Sequence, residues 1–145
     1  MLAKQKSKKR SASSGSALPD LPLFIDRCAW SKRLGEALKT AGIEHIAHHE
    51  RFAPSCPDDE WLSAAGQENW IVVTRDQNIR RKANELKAFR DAGLIVFALA
   101  SGNASAADTA NLLVDLYPRF LQLARNTKRP AMFSVSLGRT ISLVR

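Results

Sequence analysis

The 145-residue chain is predicted to be an α/β protein, with helices on both faces of a central, mainly parallel sheet and a β-hairpin at the C-terminus. Three observations predict this. Short apolar runs alternate with amphipathic stretches from residue 21 to residue 126. The runs "WIVVT" (70–74) and "LIVFALA" (94–100) show no polar alternation, as suits strands with no wet face. Several amphipathic stretches close on glycine, the residue that ends helices most readily. Strand and helix patterns in alternation make βαβ units, and hence a parallel sheet covered on both sides.

The elements follow in order. "LPLFID" (21–26) is a short apolar strand ending in Asp26. In "WSKRLGEALKTAG" (30–42) Leu34, Ala37, Leu38 and Ala41 recur at helical spacing, with Gly42 past the end. "IEHIAHH" (43–49) is a second strand. "SCPDDEWLSAAGQ" (55–67) opens on Ser and Pro, carries acids in its first turn and meets Gly66 as its stop, which makes a short helix. "WIVVT" is the third strand. "NIRRKANELKAFRDAG" (78–93) is a helix with Ile79, Ala83, Leu86 and Phe89 or Arg90 on one face and Gly93 as its stop. "LIVFALA" is the fourth strand. "SAADTANLLVDLYPRFLQLARN" (105–126) is a longer helix, with Ser105 capping, Asp108 in capping-box position and Pro118 as a site for a kink. In "MFSVSLGRTISLV" (132–144) apolar residues alternate. A three-residue loop over 138–140 sets Leu137 opposite Ile141 and Val135 opposite Leu143, whereas a two-residue Gly-Arg turn sets Val135 against Ser142, so register favours the longer loop. This hairpin follows the α/β pattern and is placed to cover a sheet edge or to touch another chain.

The length suits one domain with a single core. The net charge of +8 is unevenly spread. Lys4, Lys6, Lys8, Lys9 and Arg10 lie in a stretch of nineteen residues without an acid, and from residue 20 onward 17 basic residues face 14 acidic ones. Three segments are therefore expected: a disordered basic tail (1–19), the α/β domain (20–128) and the hairpin extension (129–145). The tail is read as a solvated leader, with a non-specific nucleic-acid arm as the sharper alternative. It lacks the apolar core of a secretory signal, and no run approaches the roughly 18 apolar residues of a membrane span. Cys28 and Cys56 stand alone, without a CxxC or a Cys/His spacing, so a disulfide framework or zinc site is not expected and a cytoplasmic setting fits.

The chemistry lies with the acids. Ligands of an open parallel sheet bind outside the carboxyl ends of its strands, and two strands end in aspartate: "LFID" at Asp26 and "VVTRD" at Asp76. A third group, Asp58, Asp59 and Glu60, opens the helix leading into the second of these strands. Two carboxylates about 4 Å apart repel by about 4 kcal/mol at an effective dielectric near 20, so a converging trio needs basic partners or a hard divalent cation. Oxygen ligands without Cys or His select Mg²⁺ or Mn²⁺.

These residues resemble the PIN domains, in particular the small bacterial PIN-like proteins related to VapC toxins. The resemblance runs from about Leu21 to about Ala100. It rests on "FID" at the first strand end, "DDEWLSAAG" as an acid-led helix and "WIVVTRDQNI" as a strand followed by T-x-D. It implies a three-layer α/β/α fold and a metal-dependent ribonuclease with acids at the carboxyl rim of the sheet. Carried over by position, Asp26 and Asp76 match the first-strand and T-x-D acids. Asp59 matches the acid ahead of the apolar helix face, with Glu60 as its competitor and Asp58 as the third choice. The implied catalytic set is Asp26, Asp59 and Asp76; the implied ligands of Mg²⁺ or Mn²⁺ are Asp26, Asp59, Glu60 and Asp76. The partners to expect are RNA, an antitoxin protein and a second copy of the chain. The chain also departs from the pattern. No acid on a later helix matches well, Asp91 and Asp108 being poorly placed, and Arg27 stands where relatives often carry another acid.

Each residue also has a plainer reading. Asp76 suits a helix cap. Asp26 suits a surface pair with Arg27. The acids at 58–60 suit any helix N-terminus. Arg75, Arg80, Arg81 and Lys82 form either a solvated face or a grip on the phosphates beside the scissile one. The histidines at 45, 48 and 49 have no partner spacing for metal or catalysis, and the tryptophans are expected in the core. Two other classes compete: a receiver-like module, which would need a lysine at the strand end where Ala100 and Ser101 stand, and a catalytically silent PIN-like module binding nucleic acid or protein.

Overall fold

The computed structural model describes residues 21–77, 82–100 and 104–144. The expected basic tail, Arg80, Arg81 and the start of the predicted 78–93 helix lie outside the described residues. The elements run β1 (Leu23–Ile25), α1 (Lys32–Thr40), β2 (His45–Ala47), α2 (His48–Arg51), α3 (Asp58–Gln67), β3 (Ile71–Thr74), α4 (Ala83–Ala92), β4 (Ile95–Leu99), α5 (Ala106–Asn126), β5 (Ala131–Val135) and β6 (Ile141–Val144). One six-stranded sheet has the order β2-β1-β3-β4-β5-β6. Its pairs are parallel except β5–β6, which is antiparallel. The predicted α/β class, parallel sheet and C-terminal hairpin are all present.

Strand side chains alternate between the two faces, and the core divides accordingly. Leu23, Ile25, Ile71, Val73, Ile95 and Phe97 pack under α1 and α5, with Leu34, Leu38, Leu113 and Phe120. Phe24, Val72 and Val96 pack on the other face against Trp61, Leu62 and Ala65 of α3 and Ala88 and Phe89 of α4. The result is three layers. No helix among the described residues is long and apolar enough to cross a membrane.

Local signals set most ends. Ser31 Oγ accepts from Leu34 N–H at 3.0 Å to start α1, and Ser105 with Asp108 forms the capping box of α5. Gly42 and Gly93 take positive φ after α1 and α4. Helix α5 runs through the exposed Pro118. Gly66 was expected as the stop of α3, but it lies inside that helix, and Asn69 takes the left-handed turn (φ 60°). A Cβ on Gly66 would lie 2.3 Å from Ala92 Cβ, so the glycine serves the approach of α3 to α4. Strand β2 stops two residues short of its predicted end, because the chain turns into α2 at His48.

The hairpin register also differs. Val135 pairs with Ile141 and Phe133 with Leu143, so neither the two-residue nor the three-residue loop forms. Arg139 N–H bonds Ser136 O and Ser136 N–H bonds Thr140 O, closing a longer turn with Arg139 at φ 67°. Apolar residues still oppose apolar ones, because a shift of two residues preserves the face. Strand β5 is also the fifth member of the parallel sheet, in register with β4.

Candidate metal centre

The chain steps from β1 outward to β2, then returns to place β3 on the other side of β1. This reversal makes the carboxyl ends of β1 and β3 the switch point where open sheets bind ligands. Asp26 follows β1 directly, and Asp76 lies two residues beyond β3. Both line one open cavity of about 440 Å³, together with Arg27, Cys28 and Asp58.

Asp26 is held on several sides and is 7% exposed. Its carboxylate accepts from Thr74 Oγ at 2.7 Å, from Arg27 N–H at 2.7 Å and from Cys28 Sγ at 3.4 Å. Its own N–H donates to Val73 O. Thr74 Oγ in turn accepts from Asp76 N–H at 3.0 Å. The threonine of T-x-D thus ties the acid of one strand end to the backbone carrying the other. Cys28 Sγ accepts from Arg75 N–H at 3.1 Å, and burial pushes its thiol up from the usual range, with a smaller push from Asp26.

Three carboxylates converge beside Asp26. Asp58, Asp76 and Glu85 each offer an oxygen, and these oxygens lie within 4.8 Å of one another. Asp58 comes from the start of α3 and Glu85 from the first turn of α4. The sequence ranks Asp59 first, Glu60 second and Asp58 third; of the three, Asp58 is the one in this group and in the cavity lining, and the other two are in neither. Helix phase explains the difference. Trp61 and Leu62 are both buried, so the inward face points between them and back to the residue three and four before. That residue is Asp58, and Trp61 Nε1 donates to its Oδ1 at 2.9 Å. Glu60, rotated away, is exposed.

Glu85 is the later-helix acid of this group, and neither Asp91 nor Asp108, the two candidates the sequence offers, belongs to it. Asp91 pairs with Lys87 on the surface and Asp108 caps α5. The signal for Glu85 was its place three and four residues ahead of Ala88 and Phe89, the buried side of α4. It is 8% exposed, and Oε1 has no hydrogen-bond partner among the described residues. Burial pushes its carboxyl up, the charge of Asp58 adds to that, Lys82 opposes it and Asp76 adds again.

The basic residues divide. The Arg27 guanidinium reaches Asp58 at 3.7 Å and donates to Pro54 O. Lys82 Nζ lies 3.5 Å from Glu85 Oε2. The Arg75 side chain turns away from the cavity to Thr109 Oγ, at 2.7 Å on α5. His48 is buried among Phe24, Phe52 and Trp61, and Trp61 and Trp70 are core residues.

The donor set fits a hard divalent cation. It is all oxygen, and one buried carboxylate oxygen lacks a partner. Opposite ligands of an ion with bonds of about 2.0–2.6 Å lie about 4–5 Å apart, and the oxygens of this group, all within 4.8 Å of one another, are close enough to share one ion. Asp58, Asp76 and Glu85 would hold the ion, with Asp26 alongside.

Comparison with known proteins returns a family match over the segment that carries these acids. Residues 22–101, more than half of the chain, match the PIN like domain, and the chain belongs to this family. It is 27% identical over 92 residues to "Putative ribonuclease VapC45" of Mycobacterium tuberculosis (strain ATCC 25618 / H37Rv), covering 61% of this chain and 67% of that protein. No solved structure gives a significant match.

Proposed function

We propose that this chain is an Mg²⁺- or Mn²⁺-dependent ribonuclease that hydrolyses RNA phosphodiesters, and that it is the toxin of a toxin–antitoxin pair. The convergence of Asp58, Asp76 and the nearly buried Glu85 from three separate elements carries this reading. Such acids repel one another unless a cation joins them. The name of the similar mycobacterial protein supports RNA as the substrate. A bound divalent ion supplies Lewis-acid stabilisation of a phosphate and lowers the pKa of a coordinated water. Asp26, fixed by Thr74 and the Arg27 N–H, presents a carboxylate of set orientation beside that position. Arg27 and Lys82 border the acids with positive charge suited to neighbouring phosphates. An antitoxin would place a basic side chain in the same cavity, and the exposed Leu143 on edge strand β6 supports a homodimer.

RNA cleavage in Mn²⁺ by the wild type, Asp58→Asn, Asp76→Asn and Asp59→Asn tests the assignment. The first two variants should lose about a hundredfold or more, on the scale of removing a group acting on the transition state, while Asp59→Asn keeps its rate. Equal rates in all four proteins would end the catalytic reading. The competing one, a silent PIN-like binding module, draws on Arg27, whose guanidinium reaches the Asp58 carboxylate and gives it an internal cation. An unchanged melting temperature across a Mn²⁺ titration would favour it.

A further inference from the structure

The acid group includes a cation of the chain's own. Lys82 ends the segment before α4, and Glu85 stands three residues on, so the two side chains share a helix face. The ammonium lies 3.5 Å from Glu85 Oε2, and its charge is also felt by Asp76 and, more weakly, by Asp58. Lys82 thus pairs with one of the three carboxylates that would hold a divalent ion, and the other two lie next to that one. The two partners differ in freedom: the Lys82 side chain is 57% exposed, that of Glu85 only 11%. The carboxylate is fixed and the ammonium is free to swing on its flexible stem. Lys82 also satisfies only half of its partner, since Glu85 Oε1 has no hydrogen bond among the described residues.

We infer that Lys82 is a resident counter-ion that competes with the divalent cation for Glu85 and leaves it for a nucleic-acid phosphate, so that cation and polyanion binding reinforce each other. The inference rests on the metal-centre reading above and adds the link between the two ligands. When no divalent ion is present, the ammonium offsets part of the charge of Asp58, Asp76 and Glu85. An incoming ion meets that ammonium at close range, and like charges there oppose joint occupancy. A phosphate bordering the site offers Lys82 another partner outside the acid group, and moving there removes the competitor. Linkage makes the effect reciprocal: whatever factor the polyanion adds to cation affinity, the cation adds to polyanion affinity. Arg27 is less suited to this role, because its guanidinium is held at both Asp58 and Pro54 O.

Calorimetric titration of Mn²⁺ into the full chain tests this without any activity readout. It is run on wild type, Lys82→Met and Lys87→Met, each with and without a DNA oligonucleotide as an uncleaved polyanion. Lys87, paired with Asp91 on the surface, controls for the loss of one positive charge. Without DNA, Lys82→Met should bind Mn²⁺ about fivefold more tightly than wild type, the low end of measured coupling factors, and Lys87→Met should match wild type. With DNA, the wild-type affinity should rise toward that of Lys82→Met, whose own affinity stays put. Equal Mn²⁺ affinity in wild type and Lys82→Met, or an equal gain in Lys87→Met, would overturn the counter-ion role and leave the metal centre standing. Absence of Mn²⁺ binding in all three proteins would overturn both.

Discussion

Thr74 shows how much one hydroxyl can organise. It donates to Asp26 and accepts from the Asp76 N–H, joining acids 50 positions apart in sequence. Thr74→Val keeps the shape and removes both bonds, leaving a buried carboxylate short of a donor. Urea unfolding should show a loss of about 1–3 kcal/mol, and RNA cleavage should fall even where the protein stays folded. His48 is the opposite case. It is buried with neither ring nitrogen bonded among the described residues, and burial, then Arg27, holds its pKa below the ordinary value of 6.5. The unfolded chain therefore binds a proton below pH 6.5 that the folded chain refuses, and stability falls as pH drops through that value. His48→Phe should flatten this fall and gain about 1 kcal/mol by removing unpaired polar atoms, as measured by unfolding at several pH values. An unchanged pH profile in the variant would assign the fall to other groups.

At the scale of elements, α3 and α4 decide whether the acids meet. The C-terminal ends of these helices touch where Gly66 meets Ala92, and their N-terminal ends bring the carboxylates of Asp58 and Glu85 together. Gly66→Val should force the helices apart, costing about 1–3 kcal/mol by overpacking and weakening Mn²⁺ binding although it touches no ligand. Normal Mn²⁺ affinity in a folded Gly66→Val protein would show that the helix approach does not govern the site. The choice among Asp58, Asp59 and Glu60 was not legible from Leu62 alone. It needed Trp61 to be recognised as equally buried, because two adjacent core residues rotate the inward face by part of a helical step. Glu85 was hidden for a related reason: an acid in the first turn reads as a solvated dipole partner until its neighbours Ala88 and Phe89 are known to face the sheet.

For the whole molecule, the proposed metal site implies a trade of stability against ion binding. Like-charged carboxylates in one place destabilise the metal-free fold, and Glu85 bears this most because it is buried. With its pKa raised, its contribution is fully present below the ordinary value of 4.5 and is lost as pH rises through the folded value. Glu85→Gln should therefore raise the melting temperature of the metal-free protein, increasingly toward neutral pH. If the proposed site binds Mn²⁺, the same substitution should abolish most of the resulting stabilisation, which for a native-state ligand at a hundred times its Kd is about 2.7 kcal/mol. A variant no more stable than wild type without metal would show that the acids are already neutralised by Arg27 and Lys82.

The sequence by itself determined the alternation of strands and helices, the caps at Ser31 and Ser105, the glycine stops after α1 and α4, and the two strand ends that carry Asp26 and Asp76. These are local matters, set by apolar period and by the conformations single residues allow. Tertiary structure alone decided the partners of those acids, the hairpin register and the burial of His48. Each depends on which face of an element meets a neighbour distant in the chain, and a rotation of 100° per residue along a helix turns one ambiguous core position into a different candidate ligand.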